Sequence, residues 1–379
     1  MKELSDCRVL LVDDAKANLD ILVEGLKADH KLNLALNGET ALQIAARTPP
    51  DLVLLDIVMP GLDGYEVCRR LRQMPETAEV PIMFLSSLEE VQNKTRGFEV
   101  GANDYLTKPF EMLEVKARVR SMLKAKAYND AVKEQIASEL RVAREIQMGF
   151  LPPDVAAATE GTGLEAHAIL HPAQEVGGDL YEALRMPDGN LVAFIGDACG
   201  KGIPAALFMA VSMTLVRAMA PDSRGPEEIL RRVSDALASH NPHTMFVTLL
   251  CAFYDVRTGR LDYASAGHPP AVLIREGSAQ FLPLKPGMVA GIMAGLSAPS
   301  QSVQLLPGDL VVFYTDGVTE AFDAAGNLYG ESRLLAELTR QSGQSAAATA
   351  DALLRSVRAH AGDYPQSDDI AVLALKRNQ

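Results

Sequence analysis

The sequence contains no tryptophan, only four cysteines, and aromatic residues at 5% of its 379 positions. The cysteines (Cys7, Cys68, Cys199 and Cys251) form no CxxC pair and no cluster. This argues against a disulfide framework and is typical of proteins from a reducing cytoplasm. No basic segment leads into an apolar run at the N-terminus, so no signal peptide is predicted and a cytoplasmic location is expected.

Long hydrophobic runs are also absent. The longest, residues 203–216, has 14 residues, whereas a membrane-spanning helix needs about 20. We therefore expect a buried helix there and no membrane association. The net charge of −13 is opposite in sign to the basic surface that nucleic-acid binding requires, so no nucleic-acid partner is predicted.

The first 110 residues alternate short apolar runs with amphipathic segments. Continuous apolar runs are typical of strands that are buried on both faces. The predicted strands are RVLLV (8–12), DLVLL (51–55) and PIMFLS (81–86), and the predicted helices span 16–28, 38–46, 64–73 and 90–100. This alternation predicts a parallel α/β sheet with right-handed crossovers.

Polar side chains follow the ends of these strands. They are Asp13 and Asp14 after the first strand, Asp56 after the second, Ser86 after the third, and Lys108 after DYLT. Loops at the carboxyl ends of parallel strands form the ligand crevice, and clustered carboxylates repel each other unless a cation such as Mg²⁺ neutralises them. One such aspartate alone would indicate a loop cap, but the set predicts phosphoryl transfer, with Asp56 as the nucleophile and Lys108 contacting the phosphoryl group. Lys108-Pro109 fits a tight turn, with a cis bond as one option.

Four segments resemble the receiver domain of two-component response regulators. They are LLVDD (10–14), DLVLLDIVMPGLDGYEVCRRLR (51–72), MFLSS (83–87) and GANDYLTKPF (101–110). The resemblance implies a flavodoxin-like domain over residues 1–123 that takes a phosphoryl group from a histidine kinase or phosphotransfer protein. By resemblance, the Mg²⁺ pocket comprises Asp13, Asp14, Asp56 and the carbonyl of Val58, and the switch residues are Ser86, Tyr105 and Lys108.

Residues 124–152 are predicted to form a helical linker. Proline is absent between 111 and 151, and apolar or small residues recur with a mean spacing of about 3.4, close to the coiled-coil period of 3.5. A parallel helix pair, and hence a homodimer, is one interpretation. The other is a last receiver helix followed by a solvated linker. Leu151-Pro152-Pro153 should end the helix.

The remainder, residues 153–379, is predicted to contain mixed antiparallel sheets flanked by helices. Turn signals separate its apolar runs. The predicted strands are 191–197, 248–256, 271–276, 310–316 and 370–376, and the predicted helices are 203–219, 226–239 and one more at either 332–341 or 346–360.

A second set of aspartates lies beside glycines in this part of the chain. The segments are GGDLY (177–181), IGDACGKG (195–202), YTDGVTE (314–320) and SDDIAVL (367–373). Acidic clusters without cysteine or histidine favour Mg²⁺ or Mn²⁺, and a pair of such ions lowers the pKa of a water molecule enough to make a nucleophile. GGDLY lacks the acidic pair of cyclic-dinucleotide synthases, GKG lacks the remainder of a Walker loop, and turn-marking aspartates explain one motif but not four.

These motifs resemble the PPM-type (protein phosphatase 2C-like) fold, in its bacterial branch related to sporulation proteins. The resemblance covers about 140–379 and includes the helix AREIQMGFLP (143–152) and AGHPP (266–270). It implies a metal-dependent serine/threonine phosphatase with two Mn²⁺ or Mg²⁺ ions, acting on a phosphorylated anti-sigma-factor antagonist. The implied metal ligands are Asp179, Asp197, the carbonyl of Ala198, Asp316 and Asp368.

Two residues of this region have alternative interpretations. Asp369 lies where many relatives carry Asn, so Asp368 is the preferred ligand of the two. His268 is either a substrate contact or a structural turn residue. The whole protein is thus expected to be a response regulator that controls a phosphatase. The alternative is a non-catalytic adaptor that binds a sigma factor or a related regulator under phosphorylation control.

Overall fold

A computed structural model of the protein describes residues 3–86, 99–285 and 287–378. Most of the helix predicted over 90–100 lies outside these residues. The chain forms two compact units, Met1–Ser138 and Glu139–Gln379. The domain boundaries expected at residues 123 and 152 stay predictions.

The first unit contains a five-stranded parallel sheet in the order β2-β1-β3-β4-β5. This is the order of doubly wound flavodoxin-like folds. The strands are β1 (Arg8–Val12), β2 (Lys31–Ala35), β3 (Leu52–Asp56), β4 (Ile82–Ser86) and β5 (Asp104–Thr107), and the helices between them include α1 (Lys16–Leu26), α2 (Gly38–Arg47) and α3 (Gly64–Gln73). The predicted α/β class is confirmed.

Both faces of this sheet are covered by apolar side chains. Every residue of β3 and β4 is buried, which explains why these strands read as continuous hydrophobic runs. Helices α2 and α3 begin at side-chain caps, because Asn37 accepts from the Thr40 N–H and Asp63 from the Glu66 N–H, each at 2.8 Å. The sheet edge that carries Asp13, Asp56 and Ser86 is therefore held by a close-packed core.

Helix α4 (Met112–Phe150) has 39 residues and ends directly before the predicted Leu151-Pro152-Pro153 stop. Its first turns bury Val115, Val119 and Leu123 in the first unit. Further along, Tyr128, Val132, Ile136, Val142 and Ile146 are exposed. The apolar spacing seen in the sequence thus continues on a face of the helix that the described residues leave exposed.

The second unit is a sandwich of two five-stranded sheets with strand orders β13-β10-β9-β8-β7 and β12-β11-β14-β15-β6. Its strands are β6 (Leu164–His171), β7 (Asp179–Arg185), β8 (Leu191–Ala198), β9 (Val247–Asp255), β10 (Arg260–Ala266), β11 (Val272–Arg275), β12 (Ser278–Phe281), β13 (Gln301–Gln304), β14 (Leu310–Tyr314) and β15 (Ile370–Arg377). All the pairings within these sheets are antiparallel. The main core lies between the sheets.

Helices cover the outer faces of the sandwich. They are α5 (Ala156–Thr159), α6 (Ile203–Met219), α7 (Pro226–Ser239), α8 (Asp316–Thr319), α9 (Gly330–Arg340) and α10 (Ala346–Ala361). Both positions considered for the last predicted helix are helical. Antiparallel sheets flanked by helices were predicted, and the structure confirms them.

Residues Ile203–Asp222 are long and apolar enough to cross a membrane by length and composition alone. In the structure Met209, Met213 and Val216 of this segment are buried in the core of the second unit. This packing favours the predicted core helix.

Candidate functional site

The first acidic cluster lies at the carboxyl edge of the parallel sheet. Carboxylate oxygens of Asp13, Asp14 and Asp56 all lie within 4.8 Å of one another. Asp13 and Asp56 are buried, whereas Asp14 is exposed. The Ala15 N–H and the Asn18 side-chain amide donate to Asp13 at 2.9 and 3.0 Å. Sequence reasoning missed Asn18, because its place one turn into α1 has no motif of its own.

Lys108 is the cationic partner of this cluster. Its Nζ lies 2.8 Å from Asp13 Oδ2 and 2.8 Å from Asp56 Oδ2, and the Lys108-Pro109 bond is cis. The Lys108 N–H donates to the Ser86 carbonyl at 2.7 Å, which places the predicted hydroxyl and ammonium residues on neighbouring strand ends.

The electrostatics of the cluster suit an ion and a phosphoryl group. Burial raises the pKa of Asp56, Lys108 opposes that rise, and Asp13 and Asp14 add to it. Burial would lower the pKa of Lys108, but its bonds to Asp13 and Asp56 raise that pKa overall. These carboxylates therefore lack sufficient positive charge from the protein alone.

Ser86 supports the same conclusion. Its Oγ is buried and has no hydrogen-bond partner among the described residues. Such a group normally costs stability, so its position beside Asp56 favours a phosphoryl oxygen as its partner.

The other two predicted receiver residues are Val58 and Tyr105. Val58 is exposed, two residues after Asp56. Tyr105 is buried, its ring centroid 5.5 Å from that of Phe84, and burial raises the pKa of its phenol to about 12. The switch role expected of Tyr105 stays a prediction, because this structure shows the ring in one position only, buried against Phe84.

The second acidic cluster lies where the two sheets of the sandwich end. Asp179 and Asp197 are directly paired in the β7–β8 ladder. Asp316 begins α8 after β14, and Asp368 precedes β15 on the other sheet. The fold therefore brings together the aspartates of all four predicted motifs. Ala198, the other predicted ligand, is the last residue of β8 and follows Asp197 directly.

Mutual repulsion and burial mark this cluster. Burial raises the pKa of Asp179 well above its usual range, and the charge of Asp197 raises it further. Burial likewise raises the pKa of Asp197 to about 7, with added repulsion from Asp316 and Asp368. Because all the side-chain donors are carboxylate oxygens that resist ionising together, Mg²⁺ or Mn²⁺ fits them chemically.

The two clusters differ in compactness. Among the described residues, only the receiver aspartates form a group of three whose ligand atoms all lie within 4.8 Å. The carboxylates of the second cluster are therefore more widely spaced than those of the first.

Asp368 and Asp369 occupy different surroundings. Asp368 is partly exposed, with its Oδ2 3.3 Å from Lys201 Nζ. Asp369 is buried and accepts from the N–H groups of Ala173 and Gly178 at 2.8 and 2.7 Å. Asp369 is thus occupied by backbone donors, which favours Asp368 as the ligand.

His268 is a structural residue in this conformation. It is buried, its Nε2 lies 3.0 Å from the Tyr314 carbonyl, and its Nδ1 lies 2.9 Å from Thr248 Oγ1. A carbonyl only accepts, so Nε2 carries the proton and Nδ1 accepts from Thr248. Of the two interpretations of His268, this geometry favours the structural one.

Gln147, Arg217 and Glu182, which sequence reasoning missed, hold the end of α4 against the rest of the second unit. The Gln147 amide donates to the Gly177 carbonyl at 2.5 Å and accepts from its N–H at 3.2 Å. Arg217 on α6 donates to the Phe150 carbonyl at 2.7 Å and pairs with buried Glu182 on β7. Because these partners are at least 30 residues apart in the sequence, no local sequence motif predicts their contacts.

Comparisons with known proteins agree with this architecture. Residues 187–378, just over half of the chain, match the family described as Stage II sporulation protein E (SpoIIE). Residues 9–120 match the response regulator receiver domain.

Individual relatives match one or both parts. The response regulator PleD of Caulobacter vibrioides is 40% identical over 136 residues, which is 36% of this chain and 30% of that protein. Protein IcfG of Synechocystis is 29% identical over 270 residues, 63% of this chain and 42% of that protein. The SiaA-PP2C domain of Pseudomonas aeruginosa superposes with a TM-score of 0.58 and 25% identity, covering 65% of this chain and 98% of that domain. The chain thus spans less than half the length of these two full-length relatives.

The two units therefore define a class of protein, a response regulator receiver domain joined to a phosphatase domain of the protein phosphatase 2C type. Within that class, the chain belongs to the Stage II sporulation protein E family.

Proposed function

We propose that phosphorylation of Asp56 controls the metal-dependent hydrolysis of phosphoserine or phosphothreonine on a protein substrate. One observation carries the proposal: the second unit places Asp179 and Asp197 of one sheet beside Asp316 and Asp368 of the other. A domain that serves only as an adaptor has no need for this costly convergence of carboxylates.

The receiver reaction needs one nucleophile and a positive environment. An Asp56 oxygen attacks the donor phosphorus, the new O–P bond forms as the P–N bond to the donor histidine breaks, and the histidine nitrogen keeps the electron pair. Lys108 and Ser86 are positioned to contact the transferred oxygens. Mg²⁺ held by Asp13, Asp14, Asp56 and the Val58 carbonyl would supply further positive charge.

In the phosphatase site, the acidic side chains are proposed to act as metal ligands rather than as proton donors or acceptors. Asp179, Asp197, Asp316, Asp368 and the carbonyl of Ala198 would hold two Mn²⁺ or Mg²⁺ ions, which lower the pKa of a water molecule when bound. Thr315 donates to Asp179 Oδ2 at 2.7 Å and so fixes the orientation of that carboxylate.

The substrate and the relay rest on the resemblance to the branch that regulates sigma factors. We propose a phosphorylated anti-sigma-factor antagonist as the substrate and a histidine kinase or phosphotransfer protein as the donor. The exposed apolar face of α4 supports a parallel homodimer as the route by which receiver phosphorylation reaches the phosphatase site.

The test is a phosphatase assay on the full chain with Mn²⁺, with and without beryllofluoride as a mimic of the aspartyl phosphate. We expect metal-dependent hydrolysis that beryllofluoride changes, and a loss of about 100-fold or more in Asp197→Asn and Asp316→Asn, because each removes a carboxylate ligand. Asp56→Asn is the matched control: it should keep the basal rate and lose the response. Full activity in both ligand variants would reject the mechanism and favour the adaptor.

A further inference from the structure

Lys201 lies at the rim of the second acidic cluster, in the turn between β8 and α6. The turn is bracketed by Gly200 and Gly202, whose φ angles of +88° and +69° place them in the left-handed region. Lys201 Nζ donates to the Ser367 carbonyl at 2.5 Å and lies 3.3 Å from Asp368 Oδ2. The ammonium group therefore reaches across the site from one sheet to the loop that leads into the other.

The net charge of the site indicates why a cationic side chain is needed at its rim. The cluster contains five aspartates, namely Asp179, Asp197, Asp316, Asp368 and Asp369. Two divalent ions would offset four of the five negative charges. A phosphomonoester brings about −1.5 to −2 more, so its binding there needs positive charge from the protein.

Lys201 supplies that charge where it is needed. Its Nζ lies 3.3 Å from Asp368 Oδ2, at the edge of the acidic cluster. Its side chain remains about half exposed, and it is joined to the protein by one carbonyl and one carboxylate rather than by a buried network. The following helix, α6, starts at Ile203 without a side-chain cap, so the partial positive charge of its N-terminus faces the same turn.

We propose that Lys201 is the substrate-phosphate-binding residue of the phosphatase site. In the free protein Asp368 and the Ser367 carbonyl hold its ammonium group at the rim. When a phosphoserine or phosphothreonine side chain enters, the ammonium donates to its phosphoryl oxygens. This role rests on the proposed phosphatase function, but it concerns phosphate recognition and is separable from hydrolysis.

The experiment measures the binding of inorganic phosphate to the full chain saturated with Mn²⁺, by isothermal titration calorimetry. Lys201→Ala should weaken phosphate binding about tenfold or more, because a charge-assisted hydrogen bond is lost. Lys201→Arg should restore most of it. Lys285→Ala, at an exposed lysine of the same unit, is the matched control and should bind phosphate as the wild type does.

A second titration separates recognition from metal binding. The Mn²⁺ affinity of Lys201→Ala should stay within about twofold of wild type, and KM for a phosphoprotein should rise more than kcat falls. Unchanged phosphate affinity, or a loss of Mn²⁺ binding that accounts for the weaker phosphate binding, would overturn the role. If phosphate binding depends on Lys201 in a protein that hydrolyses no phosphoprotein, the inference stands and the proposed function fails.

Discussion

Asp368 and Asp369, which directly precede β15, have different surroundings although they are the same residue type. Asp369 accepts two backbone N–H bonds, whereas Asp368 faces the Lys201 ammonium. The sequence motif SDD alone cannot make this distinction, because the donors come from residues 173 and 178, almost 200 positions away. The family pattern favours Asp368 over Asp369 as the metal ligand. The physical reason, the backbone donors that occupy Asp369, becomes visible only in the tertiary structure.

His268 yields a prediction at the same scale. Burial lowers the pKa of this histidine to about 3, against 6.5 for an ordinary histidine. Below pH 6.5 the unfolded chain binds a proton that the folded chain refuses, so folded stability is lost as pH falls towards 3. Between pH 7 and pH 5, the wild type should lose up to about 2 kcal/mol more than His268→Gln.

Denaturant unfolding of both proteins at the two pH values measures this difference. His268→Gln keeps an N–H donor for the Tyr314 carbonyl, so the comparison isolates the ring's protonation. An equal loss of stability in the two proteins would show that the folded state accepts the proton and that the neutral-ring assignment is wrong.

At the scale of elements, most central strands were predicted from apolar runs, whereas the central strand β10 and most edge strands were missed. β1, β3, β4, β9, β14 and β15 were found within one or two residues from apolar runs. The strands β2, β6, β12 and β13, which lie at sheet edges, were not. Edge strands have one solvated side and mixed polarity, as SAQF and QSVQ illustrate, so they carry little hydrophobic signal.

The last turns of α4 should position the phosphatase cluster through Gln147. This residue is buried and binds both backbone groups of Gly177, two residues before Asp179. Gln147→Ala would leave two buried backbone groups without partners, at about 1–3 kcal/mol each. We expect Mn²⁺ affinity to fall at least about tenfold, measured by calorimetry.

Glu145→Ala supplies the comparison for that variant, since Glu145 is exposed on the same helix and should leave Mn²⁺ affinity unchanged. If Gln147→Ala binds Mn²⁺ like the wild type, the hydrogen bonds between Gln147 and Gly177 contribute to stability alone and do not position Asp179.

At the scale of the whole molecule, the prediction concerns self-association. Ile136 is 52% exposed on α4, and Leu140 lies one turn further on. Substituting both by Asp places like charges at the proposed seam and should weaken dimerisation at least about tenfold. Phosphorylation of Asp56 should survive, while the response of the phosphatase rate to beryllofluoride should disappear.

Analytical ultracentrifugation and the phosphatase assay together decide this. Ala137→Asp combined with Ser138→Asp adds the same charge off the apolar stripe and should remain dimeric and responsive. A wild-type protein that sediments as a monomer with and without beryllofluoride, together with a normal response in Ile136→Asp/Leu140→Asp, would refute the helical relay.

The residues that hold Asp369 in place are distinct from the aspartates that are proposed to bind metal ions. A side chain at Gly177 would overlap the Asp369 carboxylate, and one at Gly317 would overlap its backbone carbonyl. These three positions keep the loops in place whether or not a metal ion is ever bound, because their bonds are internal. A descendant can therefore exchange Asp197, Asp316 or Asp368 and remain folded, whereas a change at Gly177 or Gly317 disrupts the scaffold itself. Proteins that retain the glycines but have lost the ligand aspartates would mark lineages in which catalysis was abandoned and the architecture kept for binding.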